Sequence, residues 1–177
     1  MNRHARILLL IATLVPAAAA AAPGAHQHGA VRLAVAIDGN ELSLQLEAPL
    51  DSLLGFERAP RNDAERRAAS DLLKQLRSGP ATLFKADPAA QCVLVKAEVQ
   101  AAVLEPAGQA APKDDEHADL DASYTFQCAQ PGQLRAMDVV LFDAFKRLRR
   151  IDVQVAGPKG QRKLTLDRPA RRIELQR

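Results

Sequence analysis

The sequence predicts a single α+β domain made mainly of antiparallel sheet, with one main helix. Over most of the chain, apolar residues alternate with polar ones, which is the period of a strand with one buried face. Turn residues separate several of these stretches and favour hairpins, as at Asp38-Gly39-Asn40. Helical spacing dominates only one stretch, 63–77. Because strands outnumber helices and hairpins imply antiparallel pairing, a doubly wound parallel sheet is not expected.

The alternating stretches define the predicted strands. In the stretch 93–104 the apolar positions begin at Val93 and Val95, and in 118–128 they begin at Leu120. The segment Glu105–Glu116 between these two stretches has no large apolar residue, so it is expected to be a hairpin loop. The other predicted strands are 31–37, 42–46, 137–142, 151–156, 162–166 and 172–175.

The stretch 63–77 is predicted to be the main helix. Its apolar residues, including Leu72 and Leu76, recur at helical spacing. Asn62 is a suitable N-cap with Glu65 three residues later, and Gly79-Pro80 is expected to end the helix. A second, short helical turn is expected within Asp143–Arg149.

Residues 1–22 have the pattern of a secretory signal peptide. Arg3 and Arg6 precede nine apolar residues, too few for a membrane span of about 20, and alanines at 17–22 offer cleavage sites. The predicted mature domain is therefore 23–177, located in the periplasm and not stably inserted in the membrane. A retained N-terminal anchor is the alternative.

The charge of the mature chain does not indicate a nucleic-acid-binding protein. Loss of Arg3 and Arg6 leaves 22 basic against 21 acidic residues. The chain has only six aromatic residues, too few to suggest stacking platforms for bases. One basic run, Lys146–Arg150, is interpreted as a solvated helix end, with contact to anionic lipid or to a partner as the alternative.

Cys92 and Cys128 are the only two cysteines. An even count in an oxidising compartment favours a disulfide. Cys92 begins one predicted strand and Cys128 ends another, so antiparallel pairing would bring them together. Neither has a CxxC partner or an adjacent histidine, so a catalytic thiol is not indicated.

Three histidines remain after the leader, and they suggest a metal site. His26 and His28 are two residues apart, so in an extended chain both imidazoles point the same way and can reach one ion. His117, Asp119 and Asp121 alternate with the apolar set that begins at Leu120 and are expected on the opposite face. Imidazole and carboxylate donors suit Zn²⁺. The alternatives are a solvated N-terminus and a solvated polar face.

Several short motifs together resemble the ZrgA family of periplasmic zinc-binding proteins. They are Ala25–Gly29, Gly55–Pro60, Glu116–Leu120, Tyr124–Cys128, Asp138–Phe142 and Ile151–Val155. The resemblance implies zinc uptake in cooperation with an inner-membrane zinc transporter, and a site carried by His26, His28 and His117. Family members often have histidine where this chain has Arg58, and many carry a long His/Asp-rich insertion where this chain has Glu105–Glu116. The resemblance therefore implies a capacity of about one ion.

The resulting hypothesis is a non-catalytic periplasmic protein that binds Zn²⁺ through His26, His28 and His117 with Asp119 or Asp121. Cu²⁺ is expected to compete in vitro, because nitrogen-rich sites bind it more tightly than Zn²⁺. One alternative is a metal-independent envelope interaction protein. Another is a zinc hydrolase with Glu57 or Glu116 as the base.

Overall fold

The computed structural model describes residues 28–105 and 118–176, which contain nine strands and four α-helices. The strands are β1 (Ala30–Asp38), β2 (Glu41–Pro49), β3 (Phe84–Ala86), β4 (Cys92–Gln100), β5 (Asp119–Cys128), β6 (Ala136–Val139), β7 (Arg150–Gly157), β8 (Gly160–Asp167) and β9 (Arg172–Glu174). The helices are α1 (Leu50–Leu54), α2 (Asp63–Ser78), α3 (Pro80–Leu83) and α4 (Leu141–Ala144). The α+β prediction is confirmed.

Two sheets organise the described residues. The larger has six strands in the order β4-β5-β2-β1-β7-β8, and the smaller has the order β3-β6-β9. Every pair is antiparallel except β1 and β7, which run parallel in the middle of the larger sheet. The β1–β2 hairpin turns at Gly39-Asn40, where Gly39 has a positive φ of 57°, as the sequence predicts.

The register brings four strand ends together at one end of the larger sheet. β1 and β7 begin side by side, with Ala30 paired to Arg150. β2 runs the other way and ends here, and β5 begins here, with Pro49 paired to Asp119. Helix α1 follows β2 directly, so we call this the α1 end of the sheet.

The core lies on one face of the larger sheet. Inward residues such as Leu44 and Tyr124 are almost inaccessible, and α1 and α2 pack over β2 and β4. The smaller sheet joins the same core, with the Phe84 ring centroid 5.4 Å from that of Tyr124. The opposite face carries polar side chains such as Glu47 and Asp121. None of the helices in the described ranges has the length and apolar character that crossing a bilayer requires.

A bulge in β4 makes part of the predicted alternation wrong. The pairing of β4 with β5 shifts between Leu94 and Lys96, which places Val93 and Val95 on the solvent side, 61% and 55% exposed. Beyond the bulge, Val99 is buried. One extra residue reverses the parity of a strand. A period-two count assumes unbroken parity and therefore assigned the first part of β4 to the wrong face.

Short elements account for the other differences. The strand predicted at 137–142 ends at Val139, and α4 begins at Leu141, before the helical turn expected within Asp143–Arg149. Helices α1 and α3 and strand β3 were not predicted. Each has five residues or fewer, which is too short to show a period.

Helix α2 begins as predicted, and Arg58 reinforces its start. Asn62 Oδ1 accepts a hydrogen bond from the Glu65 N–H (2.9 Å), and Glu65 accepts one from the Arg61 N–H (2.7 Å). Arg58 donates two hydrogen bonds to the Glu65 carboxylate, at 2.7 and 3.0 Å, and lies over the Phe56 ring. Arg58 thus ties the preceding loop to α2.

Acid is expected to weaken this start of α2 only at low pH. Hydrogen bonds from Arg58 and from the Arg61 N–H lower the pKa of Glu65 from 4.5 to about 2. A carboxyl with a lowered folded-state pKa stabilises the fold above its unfolded pKa and loses that contribution as pH falls through the folded value. The stabilisation by Glu65 should therefore be full above pH 4.5 and disappear towards pH 2.

The measurement is the free energy of unfolding in urea at several pH values for the wild type and Glu65→Gln. The difference in unfolding free energy between the two proteins should shrink as the pH falls from 4.5 towards 2. Asp71→Asn, an exposed carboxyl change on the same helix without a described ion pair, is the control. A difference that stays constant with pH would contradict the assignment.

The disulfide prediction is confirmed. Cys92 and Cys128 are directly opposite in the β4–β5 register and are bonded, with an S–S distance of 2.04 Å. Cys92 lies in the edge strand and Cys128 at the end of its neighbour, so the bond fastens the outer strand of the sheet. It closes a loop with a sequence separation of 36 residues, which includes the segment 106–117 outside the described residues.

Removing this bond should destabilise the domain substantially. For a loop of this length, the chain-entropy model gives a stabilisation of about 4 kcal/mol. The double variant Cys92→Ala/Cys128→Ala should lose about that much unfolding free energy in urea. Wild type unfolded under reducing conditions should show a similar loss. An unfolding midpoint equal to that of the oxidised wild type would contradict the prediction.

Candidate metal-binding site

The chain is anchored at Gly29 just before β1. The Gly29 N–H donates to Ser52 Oγ of α1 (2.9 Å), and the Gly29 carbonyl accepts from the Arg149 N–H (2.8 Å). Gly29 has a φ of +79°, and a Cβ there would lie 3.2 Å from the Arg147 carbonyl oxygen. The position therefore requires glycine, and it places His28 between α1 and the segment before β7.

His28 contacts a carboxylate that the sequence analysis did not identify. Its Nδ1 lies 2.8 Å from Oδ2 of Asp51 in α1. An ionised carboxylate can only accept hydrogen bonds, so Nδ1 carries the proton. In the neutral ring the lone pair is then on Nε2, and the side chain is 70% exposed. Histidine ligands to metals commonly have this arrangement, in which a carboxylate orients the ring and increases its basicity.

Arg147 holds Asp51 from the other side. Its Nη2 lies 3.2 Å from Asp51 Oδ1, and its Nε donates to the Asp51 backbone carbonyl at 3.0 Å. The guanidinium packs against Gly55, where a Cβ would lie 3.1 Å from Nε and where φ is +89°. Asp51 is only 17% exposed and is fixed by His28 and Arg147 together.

The electrostatics of the pair follow from these contacts. The hydrogen bond from His28 lowers the pKa of Asp51, and the Arg147 charge adds to that effect against the opposing effect of burial. The hydrogen bond to Asp51 raises the pKa of His28, and the negative charges of Asp51 and Glu57 contribute further. The contact thus favours the ionised form of Asp51 and the protonated form of His28, relative to the same side chains without it.

The start of β5 meets α1 at the same end of the sheet. The Leu50 N–H donates to the Ala118 carbonyl at 3.0 Å. Ala118 is preceded in sequence by His117, and Leu50 is followed by Asp51. His117 and His26 themselves lie outside the described residues.

Asp119 and Asp121 lie on the face of β5 opposite to the buried Leu120 and Ala122, as the alternation predicts. Asp119 pairs with Pro49, next to α1, whereas Asp121 pairs with Glu47, one step further into the sheet. Burial and the neighbouring Glu47 and Asp119 charges raise the pKa of Asp121. Because its partner Pro49 directly precedes α1, Asp119 lies closer along the sheet to the His28–Asp51 pair than Asp121 does.

Among residues 28–105 and 118–176, no three His, Cys, Asp or Glu side chains are grouped so that they could hold a metal ion. Of the predicted set, His28, Asp119 and Asp121 lie in these ranges and do not form such a group by themselves. Because His26 and His117 lie outside the described residues, the full ligand set stays a prediction.

Arg58 does not belong to this group of residues. At the position where the resemblance leads one to expect histidine, Arg58 binds Glu65 at the start of α2 instead. Its role in this chain is to position the loop between α1 and α2.

Asp51 and Arg147 are the residues that sequence reasoning missed. The sequence contains a weak signal for the helix that carries Asp51. An acidic residue in a first turn, here Asp51, and a glycine just after the last turn, here Gly55, are typical of a short helix. Nothing in the sequence connects Arg147 to Asp51, which are 96 residues apart. The pairing of β1 with both β2 and β7 makes them neighbours.

Comparison with known proteins identifies the family. No curated protein matches the chain. The family model described as ZrgA family zinc uptake protein matches residues 25–175, which include the anchored His28, the disulfide and every strand described above. Since this match covers most of the sequence, the chain belongs to the ZrgA family of zinc uptake proteins.

Proposed function

We propose that this chain binds Zn²⁺ as its cargo in the periplasm and serves zinc uptake together with an inner-membrane zinc transporter. Membership of a zinc uptake family supports the metal. The observation that carries the proposal is the His28 ring, whose Nδ1 is bound by Asp51 and whose exposed side chain leaves Nε2 available for an ion.

The proposed ligands are His28 Nε2, His26, His117 and one carboxylate. His26 is two residues from the anchored Gly29–His28 segment, and His117 directly precedes Ala118, which is hydrogen-bonded to α1. Either Asp119 or Asp121 completes the set, and the register favours Asp119. Imidazole nitrogen and carboxylate oxygen are both ligands of Zn²⁺ in proteins, and four of them fit its tetrahedral coordination.

Asp51 and Arg147 act on the ion through His28. Asp51 keeps the proton on Nδ1 and holds the ring, and Arg147 keeps Asp51 in place. Loss of such an orienting carboxylate typically lowers metal affinity about 10–100-fold. Asp51 is therefore a positioning residue in this proposal and not a ligand.

The periplasmic location is supported by the leader pattern and by the disulfide. Residues 1–22 lie outside the described residues, so the signal peptide remains a prediction from sequence. Disulfides persist in oxidising compartments such as the periplasm, and Cys92–Cys128 is one. We expect no catalytic activity, in keeping with the family's description as an uptake protein.

Calorimetric titration with Zn²⁺ tests the proposal. Untagged protein comprising 23–177 should bind about one ion, and the variant His26→Ala/His28→Ala/His117→Ala should show no stoichiometric binding. Asp71→Asn changes an exposed carboxylate of α2 that is not among the proposed ligands, and this variant should bind as wild type. Absence of binding by the wild type would favour a metal-independent envelope interaction protein. Binding that persists in the triple variant would place the ion elsewhere.

Asp51→Asn should lower zinc affinity about 10–100-fold without removing any ligand. The ¹⁵N chemical shifts of the His28 ring in the metal-free protein, recorded above its pKa, should show Nδ1–H as the main tautomer in the wild type and a mixture in the variant. Asp71→Asn should change neither quantity. If the variant binds zinc as tightly as the wild type, Asp51 does not position the ring.

A further inference from the structure

The segment before β7 displays a group of cations beside His28. Lys146, Arg147 and Arg149 are exposed, and with His28, Gly29 and Asp51 they line an open depression of about 380 Å³. We call these three cations the basic rim. Of the three, only Arg147 contacts Asp51; Lys146 and Arg149 have no part in holding His28.

Arg168 holds the backbone that carries the basic rim. Its Nη2 donates to the carbonyls of Phe142 (2.7 Å), Phe145 (3.1 Å) and Leu148 (2.9 Å), and its guanidinium lies over the Phe142 ring. Phe142, Phe145 and Leu148 are buried in the core. The rim is thus presented from a fixed backbone, which reduces the entropy lost when a partner binds.

The charges around the depression do not balance. Among the described residues that line it, Asp51 is the only carboxylate, and Asp51 is already engaged by His28 and Arg147. The charge of Glu57 also acts on His28, but Glu57 does not line the depression. Within the described ranges, Lys146 and Arg149 have no side-chain hydrogen bond or ion pair, and Arg150 is paired with Asp152. Two cations therefore project a positive field into solvent without a partner among residues 28–105 and 118–176.

We propose that the basic rim docks an acidic, carboxylate-rich segment of a partner protein. Charge complementarity carries the proposal, because a surface that repels cations attracts a segment of the opposite sign. The proposal rests on the proposed function in one respect: carboxylates that dock here would lie beside His28 and could take over its zinc ion.

A protein segment fits this surface better than a membrane. The exposed large apolar residues of the described ranges are Val93 and Val95, on edge strand β4. β4 is separated from β1 by β5 and β2, so no exposed large apolar side chain adjoins the rim. The cations also border a depression instead of a flat face, which suits an extended segment entering between them.

Fluorescence anisotropy tests the docking without zinc. The probe is a fluorescein-labelled poly-aspartate peptide, titrated with the 23–177 protein at low ionic strength in EDTA, with a poly-glutamine peptide of equal length as the neutral probe. Lys146→Glu/Arg149→Glu should weaken poly-aspartate binding about tenfold or more. Arg67→Glu/Lys74→Glu changes two exposed, unpaired cations of α2 by the same charge and should bind as wild type.

An equal loss of poly-aspartate affinity in the two double variants would show that the peptide responds only to net charge, and this would overturn the proposal. An unchanged affinity in Lys146→Glu/Arg149→Glu would overturn it as well. Vesicles containing anionic phospholipid provide the competing test. If the wild type binds them through the rim and does not bind poly-aspartate, the surface is a membrane contact and the proposal is wrong. Zinc is absent from these measurements, so a failed zinc titration and a failed docking experiment are separate results.

Discussion

The parallel pairing of β1 with β7 determines what surrounds His28. In an otherwise antiparallel sheet, this one parallel contact makes two strands begin at the same end. Residues just before β1 and just before β7 therefore become neighbours, and the antiparallel strand β2 delivers α1 to the same place. Gly29 joins these pieces through its hydrogen bonds to Ser52 and Arg149. The geometry of His28 depends on this one junction.

At the α1 end, Asp51 contacts both the proposed zinc ligand His28 and a cation of the basic rim, Arg147. One carboxylate oxygen faces His28 and the other faces Arg147, so the same side chain orients a potential ligand and neutralises part of the basic rim. A carboxylate held by two partners and only 17% exposed has little freedom to move towards an ion. This immobility is the structural reason for treating Asp51 as an orienting group and for assigning the ligand role to the exposed ring of His28.

The predictions from sequence succeeded where a local pattern is enough to determine the structure. The hairpin at Gly39-Asn40, the N-cap at Asn62 and the opposed cysteines each depend on a few adjacent residues or on simple strand pairing. They failed at Val93 and Val95, because a bulge changes parity without changing composition. The candidate site could be predicted only in part. The alternation places Asp119 and Asp121 on one face of a strand. The role of Asp51 could not be predicted, because a one-turn helix has no period.

The sequence by itself determined the local elements and the chemical character of the chain: period-two strands, one amphipathic helix, a cysteine pair and a small number of imidazoles with carboxylates nearby. Only the tertiary structure decided which of these meet. Strand order and direction are set by packing of the whole core, so contacts such as Arg147 with Asp51, 96 residues apart, carry no local signal. The physical reason is that side-chain periodicity records which face of a strand is buried, whereas the identity of a neighbouring strand depends on residues far away in the chain.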